Sequence, residues 1–213
     1  LNEVPKGIKV VAVSKTKPVE DILKVYSTGH KIFGENRVQE LTAKYEQLPR
    51  DIEWHLIGHL QSNKVKYIAK FVHLIHSVDS LKLLLTINQE AIKAERIIDV
   101  LFQIYIAREE TKFGLDKAEL LDLLESPEFK TLKNVRVRGL MGIASFTEDM
   151  NMVRSEFRQL KDIYDTCKHA YFGQESNFSE LSMGMSGDYK IAIEEGATII
   201  RVGSLLFGER NYL

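Results

Sequence analysis

Lys15 ends an apolar run, Val10 to Ser14, in the segment KVVAVSKTKP. Such a run reads as a buried strand, and an amine at its end is only partly solvated. Desolvation and nearby cations lower an amine's pKa and leave a fraction unprotonated. A free amine condenses with an aldehyde to form a Schiff base. Lys17, two residues on, reads instead as a lysine snorkelling to solvent. Far along the chain, MGMSGD (183–188) and RVGSLLFG (201–208) each place small residues after a strand-like run. Ser186 and Gly187 form one pair, Gly203 and Ser204 the other. Glycine lets the backbone approach a ligand, and a helix that follows offers unpaired N–H groups to an anion. Taken singly, each turn is as well read as a turn glycine with a serine helix cap. Taken together, an amine and two anion cradles suit a phosphorylated aldehyde. Arg201 is the only charge within TIIRVGSLLFG. It should point into the same mouth, the plainer alternative being an ion pair at a strand end.

These residues need a scaffold that brings both ends of the chain together. Eight short apolar runs alternate with longer amphipathic ones: Ile8–Ser14, Lys31–Asn36, Glu53–Gly58, Val72–Asp79, Asp99–Ala107, Val135–Ala144, Glu180–Gly184 and Thr198–Gly203. The runs are nearly continuous rather than alternating, as a parallel sheet covered on both faces requires. The intervening segments carry apolar residues at helical spacing, such as Leu120, Leu121 and Leu124. About eight strand–helix units in 213 residues predict a single α/β domain spanning 1–213, a (β/α)8 TIM barrel. An open doubly wound sheet would want a glycine-rich turn after its first strand, and SKTKP has none. In a barrel the active face lies where strands end. The suspects are then Lys15, Glu35, Asn36, His55, Ser77, Ser145, Ser186, Gly187, Gly203 and Ser204. Phosphate sites in such barrels commonly use the loops after the seventh and eighth strands, where the two small-residue turns fall.

Composition narrows the function classes. The chain is 44% hydrophobic and 28% charged, with a formal net charge of -1. Nothing in that balance suggests a nucleic-acid partner, which would favour a basic face. No apolar run approaches a membrane span of about 20 residues, and no signal peptide opens the chain, so a cytoplasmic location is expected. The single cysteine, Cys167, permits no intramolecular disulfide and reads as an inert thiol in a helix. HLIGH (55–59) spans a strand end and a turn, whereas a zincin pair needs a helix and an interposed glutamate. No metal is expected there; His55 is expected to face the pocket. GMSGD departs from the G-x-S-x-G nucleophile elbow. FGEN (33–36) is either a simple turn or a device that sets the Asn36 amide beside a ligand's ring.

The segments VAVSKTKP, FGENRVQE, WHLIGHLQSNK, RGLMGIASF, LSMGMSGDY and IRVGSLLFGER occur in this order over nearly the whole chain. Together they resemble the pyridoxal phosphate homeostasis protein family (YggS/PROSC type), whose members are similar to the N-terminal barrel domain of alanine racemase. The resemblance implies pyridoxal 5'-phosphate as cofactor, held as a Schiff base on Lys15. It also implies phosphate binding by Ser186, Gly187, Gly203 and Ser204, and Arg201 facing the pyridine nitrogen. An arginine cannot give up its proton, so it leaves that nitrogen unprotonated and the ring a poor electron sink. The racemases' second domain, with its second acid/base tyrosine, has no counterpart in these 213 residues. The expectation is therefore a cofactor buffer or carrier, a monomer or weak dimer whose macromolecular partners are apo enzymes that use the same cofactor. Two alternatives stay open: an amino-acid racemase or related enzyme, and a barrel using Lys15 as an aldolase-type amine on another phosphorylated metabolite.

Overall fold

A computed structural model describes residues 4–107, 114–173 and 177–208. Eight strands, β1 (Lys9–Val13), β2 (Ile32–Glu35), β3 (Glu53–Leu56), β4 (Leu74–Val78), β5 (Ile98–Ile104), β6 (Val135–Gly142), β7 (Glu180–Ser182) and β8 (Ile199–Val202), pair in sequence order and close into a barrel. Every pairing is parallel, including the closure of β1 on β8, where Val11 lies opposite Arg201. The helices between them are α1 (Val19–Tyr26), α2 (Val38–Gln47), α3 (Val65–Ile68), α4 (Leu81–Lys93), α5 (Lys117–Glu125), α6 (Pro127–Lys130), α7 (Met150–Cys167), α8 (Tyr189–Glu194) and α9 (Ser204–Phe207). The (β/α)8 expectation is met, and each apolar run matches one strand, β5 beginning one residue before its run, at Ile98.

Two apolar layers result from the two faces of each strand. Trp54 and Leu56 of β3 join the large outer core between strands and helices, whereas Val11, Leu74, Leu101, Met141 and Ile199 pack together inside the barrel. Residues one apart on a strand face opposite sides, which is why a continuous apolar run suits a wall covered on both faces. The helices dock through stripes. On α7, Val153, Phe157, Leu160, Tyr164 and Cys167 are buried, a 3–4 residue repeat. Side-chain caps fix several starts: Ser80 accepts from the Leu83 N–H before α4, and Asp149 from the Asn151 and Met152 N–H groups before α7. Cys167 is buried at the end of α7, and burial pushes its thiol up to about 11. The inert thiol expected from the sequence is what the fold provides.

Candidate functional site

The C-terminal ends of β1, β7 and β8 meet at one mouth of the barrel. Lys15 lies two residues past β1 and is half-buried. Its neighbours are tied down on both sides. The Lys44 ammonium donates to the Ser14 carbonyl at 2.8 Å and to Glu35 Oε1 at 2.7 Å, and the Ser14 hydroxyl donates to the same carboxylate oxygen at 2.6 Å. On the other side the Thr16 N–H donates to Glu40 Oε2 at 3.0 Å. Thr16 has φ of +65°, a conformation a β-branched residue rarely adopts. Glu40 and Lys44 stand one turn apart on α2. One helix therefore clamps the backbone on both sides of the lysine. Glu35 is fully buried, and burial holds its carboxyl above the usual carboxylate range despite Lys44 and Ser14.

The two small-residue turns come together as expected. The Gly203 N–H donates to Ser186 Oγ at 3.3 Å, joining the turn after β8 to the turn after β7. Gly184 opens the first turn at φ +91°, and a Cβ there would stand 2.5 Å from that of Ala192. Only glycine lets this turn and α8 pack so closely. Among the described residues, no protein acceptor engages the backbone N–H groups of Ser186, Gly187, Ser204 or Leu205. Lys17 reaches across to donate to the Phe207 carbonyl at 3.0 Å, fastening the loop of Lys15 to the end of α9. Lys17 is thus a strut between two loops rather than a lysine in open solvent. Asn36, half-buried past β2, packs against Gly58, where a Cβ would come within 2.4 Å of the Asn36 carbonyl oxygen.

Arg201 points inside the barrel. It is 4% exposed and donates to Ser182 Oγ at 2.6 Å and to the Gly142 carbonyl at 2.9 Å. Burial lowers its pKa to about 10, with Asp188 opposing, so it stays a cation at neutral pH. Two of the guanidinium nitrogens are engaged; a guanidinium has five donors. The chain continues inward: His76 Nδ1 lies 3.0 Å from Ser182 Oγ, and His76 Nε2 lies 2.9 Å from His55 Nδ1. Burial keeps both histidines well below the usual imidazole range.

One expectation fails. His55 does not face the mouth of Lys15. It pairs with Leu74, the first residue of β4, and so sits low in the barrel, beside Lys9 and Glu53, the first residues of β1 and β3. The stagger of the strands, which a single run does not reveal, sets it level with the first residue of β4. Ser77 and Ser145 serve the frame. Ser77 donates to the Gly58 carbonyl at 2.6 Å, while Glu156 of α7 accepts from both the N–H and the hydroxyl of Ser145, each at 2.7 Å. Sequence reading missed Lys44, Glu40, His76 and Ser182. The Glu40–Lys44 spacing marks one helix face, but nothing in it names Ser14 as the target.

Residues 2–211 match the family of the alanine racemase N-terminal domain. The pyridoxal phosphate homeostasis protein of Aquifex aeolicus is 46% identical over 205 residues, covering 96% of this chain and 88% of that protein. The chain belongs to the pyridoxal phosphate homeostasis protein family. Its counterpart in Vibrio alginolyticus is 38% identical over 98% of this chain and 89% of its own length. Among solved structures, PipY of Synechococcus elongatus with pyridoxal phosphate bound superposes with a TM-score of 0.86 at 36% identity, covering 97% of this chain and 95% of that one. The same protein without the cofactor gives 0.90 at 37% identity, with the same coverage. An alanine racemase of Clostridium difficile shares the fold at a TM-score of 0.72 and 16% identity, and the chain spans 53% of it. The family's barrel is therefore common to both groups, and the high identity lies with the homeostasis proteins.

Proposed function

We propose that this chain binds pyridoxal 5'-phosphate at the mouth formed by β1, β7 and β8, and holds it as part of the cell's cofactor supply with little turnover. The observation that carries the reading is the Gly203 N–H to Ser186 Oγ bond. It sets two glycine–serine turns side by side, and β8, which leads into one of them, pairs with β1, the strand that leads into Lys15. The donor set fits the cofactor: an amine for the aldehyde, backbone N–H groups of Ser186, Gly187 and Ser204 with two hydroxyls for the phosphate, and a buried guanidinium for the ring nitrogen. The PipY structure, with pyridoxal phosphate bound in the same fold at 36% identity, supports it.

When bound through its aldehyde, the cofactor supplies an electron-accepting ring that acidifies Cα of an attached amino acid. The residues of this chain restrain that chemistry. Lys15 takes the aldehyde. Ser186, Gly187 and Ser204 would hold the phosphate, with Gly203 joining their two turns, and Asn36 would stand beside the ring. Arg201 would face the ring nitrogen with donors only and no lone pair to accept its proton, and so would leave the ring a weaker electron acceptor. Lys15 is the only proton carrier that the proposal assigns to Cα, and lacking a positioned acid or base typically costs a factor of about 10²–10⁴. Apo enzymes receiving the cofactor would meet Ile143, Met185 and Leu205, exposed apolar side chains after β6, β7 and β8.

An absorption spectrum of freshly purified protein, before and after borohydride, tests the binding. We expect a visible band and a reduced adduct on Lys15, both lost in Lys15→Ala; a band that persists unchanged places the cofactor on another lysine. Chiral chromatography of alanine and serine incubated with the loaded protein tests the turnover. Sustained racemisation at roughly 1 per second or faster overturns the carrier reading in favour of a racemase.

A further inference from the structure

The opposite mouth of the barrel, where the strands begin, carries a second cluster of chemistry. Lys9, Ile32, Glu53, His55, His73 and Asp99 are among the residues lining a recess there. Three of them, Glu53, His55 and His73, bring one ligand atom each to within 4.8 Å of one another. From this arrangement we infer a binding site for a divalent transition-metal cation, Zn²⁺ foremost, held by Glu53, His55 and His73.

The strongest single observation is His55. The residue is 2% exposed, and its Nε2 is buried with no hydrogen-bond partner. A buried polar atom left unpaired is destabilising, so an orphan of this kind asks for a ligand. The other ring nitrogen is already placed, 2.9 Å from His76 Nε2, and His76 in turn meets Ser182. With His55 Nδ1–H donating to His76, the lone pair of His55 sits on Nε2, the nitrogen left to ligate. Metal-bound histidines are commonly oriented in this way by a hydrogen bond from the second ring nitrogen. His73 Nε2 and Glu53 Oε2 are 3.5 Å apart. A tetrahedral zinc with bonds of about 2.1 Å sets its ligands roughly 3.4 Å apart, so that edge already has the required length. The His55 and His73 rings lie nearly parallel, 5° apart with centroids 5.6 Å distant. Glu53 and His73 are half-exposed, so water rather than packed core borders their side chains.

The charges around the recess favour Glu53 as the ligand. Asp99 is held by Arg136 and Arg138, and Glu180 by Lys9 and Arg138. Among the described residues, the ion-pair partner of Glu53 is His73 alone. Asp99 and Glu180 thus offset two of the three nearby cations, and Glu53 is left to pair with His73. Two imidazoles and a carboxylate suit Zn²⁺, Co²⁺ or Ni²⁺ better than Mg²⁺ or Ca²⁺, which prefer all-oxygen sets. Three protein ligands leave a fourth position, which opens to the recess and to water or a small anion. Such a site would tie the start of β3 to the start of β4, at the end of the barrel away from Lys15.

The test uses the cofactor-loaded protein after treatment with a chelator and dialysis. Titration with Co²⁺ should give one equivalent of a visible ligand-field spectrum, displaced by one equivalent of Zn²⁺. His73→Ala and Glu53→Gln remove half-exposed side chains and should fold; each should weaken binding by at least about tenfold, as even supporting residues of metal sites do. Both variants should keep the absorption of bound cofactor, which separates loss of this site from loss of the mouth at Lys15. Binding unchanged in His73→Ala, or stoichiometry well below one, overturns the site and assigns any bound metal to surface histidines or to the cofactor.

Discussion

A phosphate site made of backbone N–H groups is sensitive to charge where it is insensitive to side-chain size. Ser204 stands at the first position of α9, is exposed, and follows Gly203, whose N–H joins the two turns. Ser204→Asp adds a carboxylate against a dianion without removing any backbone donor. The repulsion in a half-desolvated site should cost roughly 1–3 kcal/mol, about tenfold to a hundredfold in affinity. Ser204→Ala, which loses one hydroxyl, should cost less. Equilibrium dialysis of pyridoxal 5'-phosphate against both variants checks the order; equal affinities would remove this turn from the phosphate site.

The element that decides how Lys15 is presented is α2, through its buried ion pair with β2. Lys44 spans from α2 to Glu35 and to the carbonyl just before Lys15. Removing one partner of a buried pair leaves an uncompensated charge, at about 3–5 kcal/mol. Lys44→Met should therefore unfold at markedly lower urea, and should also blur the spectrum of bound cofactor by loosening Ser14. Glu35 gives the pH dependence. Its folded pKa is raised by burial, so the stability it contributes is complete below its unfolded pKa and is lost as pH rises through the folded value. Without Lys44 that loss grows, so the deficit of Lys44→Met should shrink as pH falls toward about 4. A deficit independent of pH would show that Glu35 is not the charge left stranded. The strands were legible from sequence because each is a local apolar run, and Lys15, Ser186 and Gly203 were legible because strand ends define the mouth. The Lys44 clamp and the height of His55 were not. Both depend on how far neighbouring strands are staggered, and no single segment records that offset.

Closure makes the barrel one object at the scale of the molecule. β1 pairs with β8 through Lys9, Val10, Val11 and Ala12 opposite Ile199, Ile200, Arg201 and Val202, so the two ends of the chain complete the same ring. Releasing either strand would open two sheet edges and expose the inner cluster of Val11, Leu74, Leu101, Met141 and Ile199. Opening any seam therefore exposes the shared interior, and we expect the barrel to unfold as a single cooperative unit. Two built-in probes lie on different elements. Trp54 on β3 is the single tryptophan and is fully buried against Phe33. Cys167, at the end of α7, is the single cysteine, buried and with its thiol pushed up to about 11. A thiol reagent near neutral pH should find Cys167 unreactive in the folded protein, since both burial and the scarcity of thiolate oppose attack. Along a urea titration at equilibrium, Trp54 fluorescence, Cys167 labelling by a short reagent pulse, and far-ultraviolet circular dichroism should trace one curve with one midpoint. If Cys167 becomes reactive well before Trp54 reports unfolding, α7 and the strands it covers separate from the rest, and the chain is not a single cooperative unit.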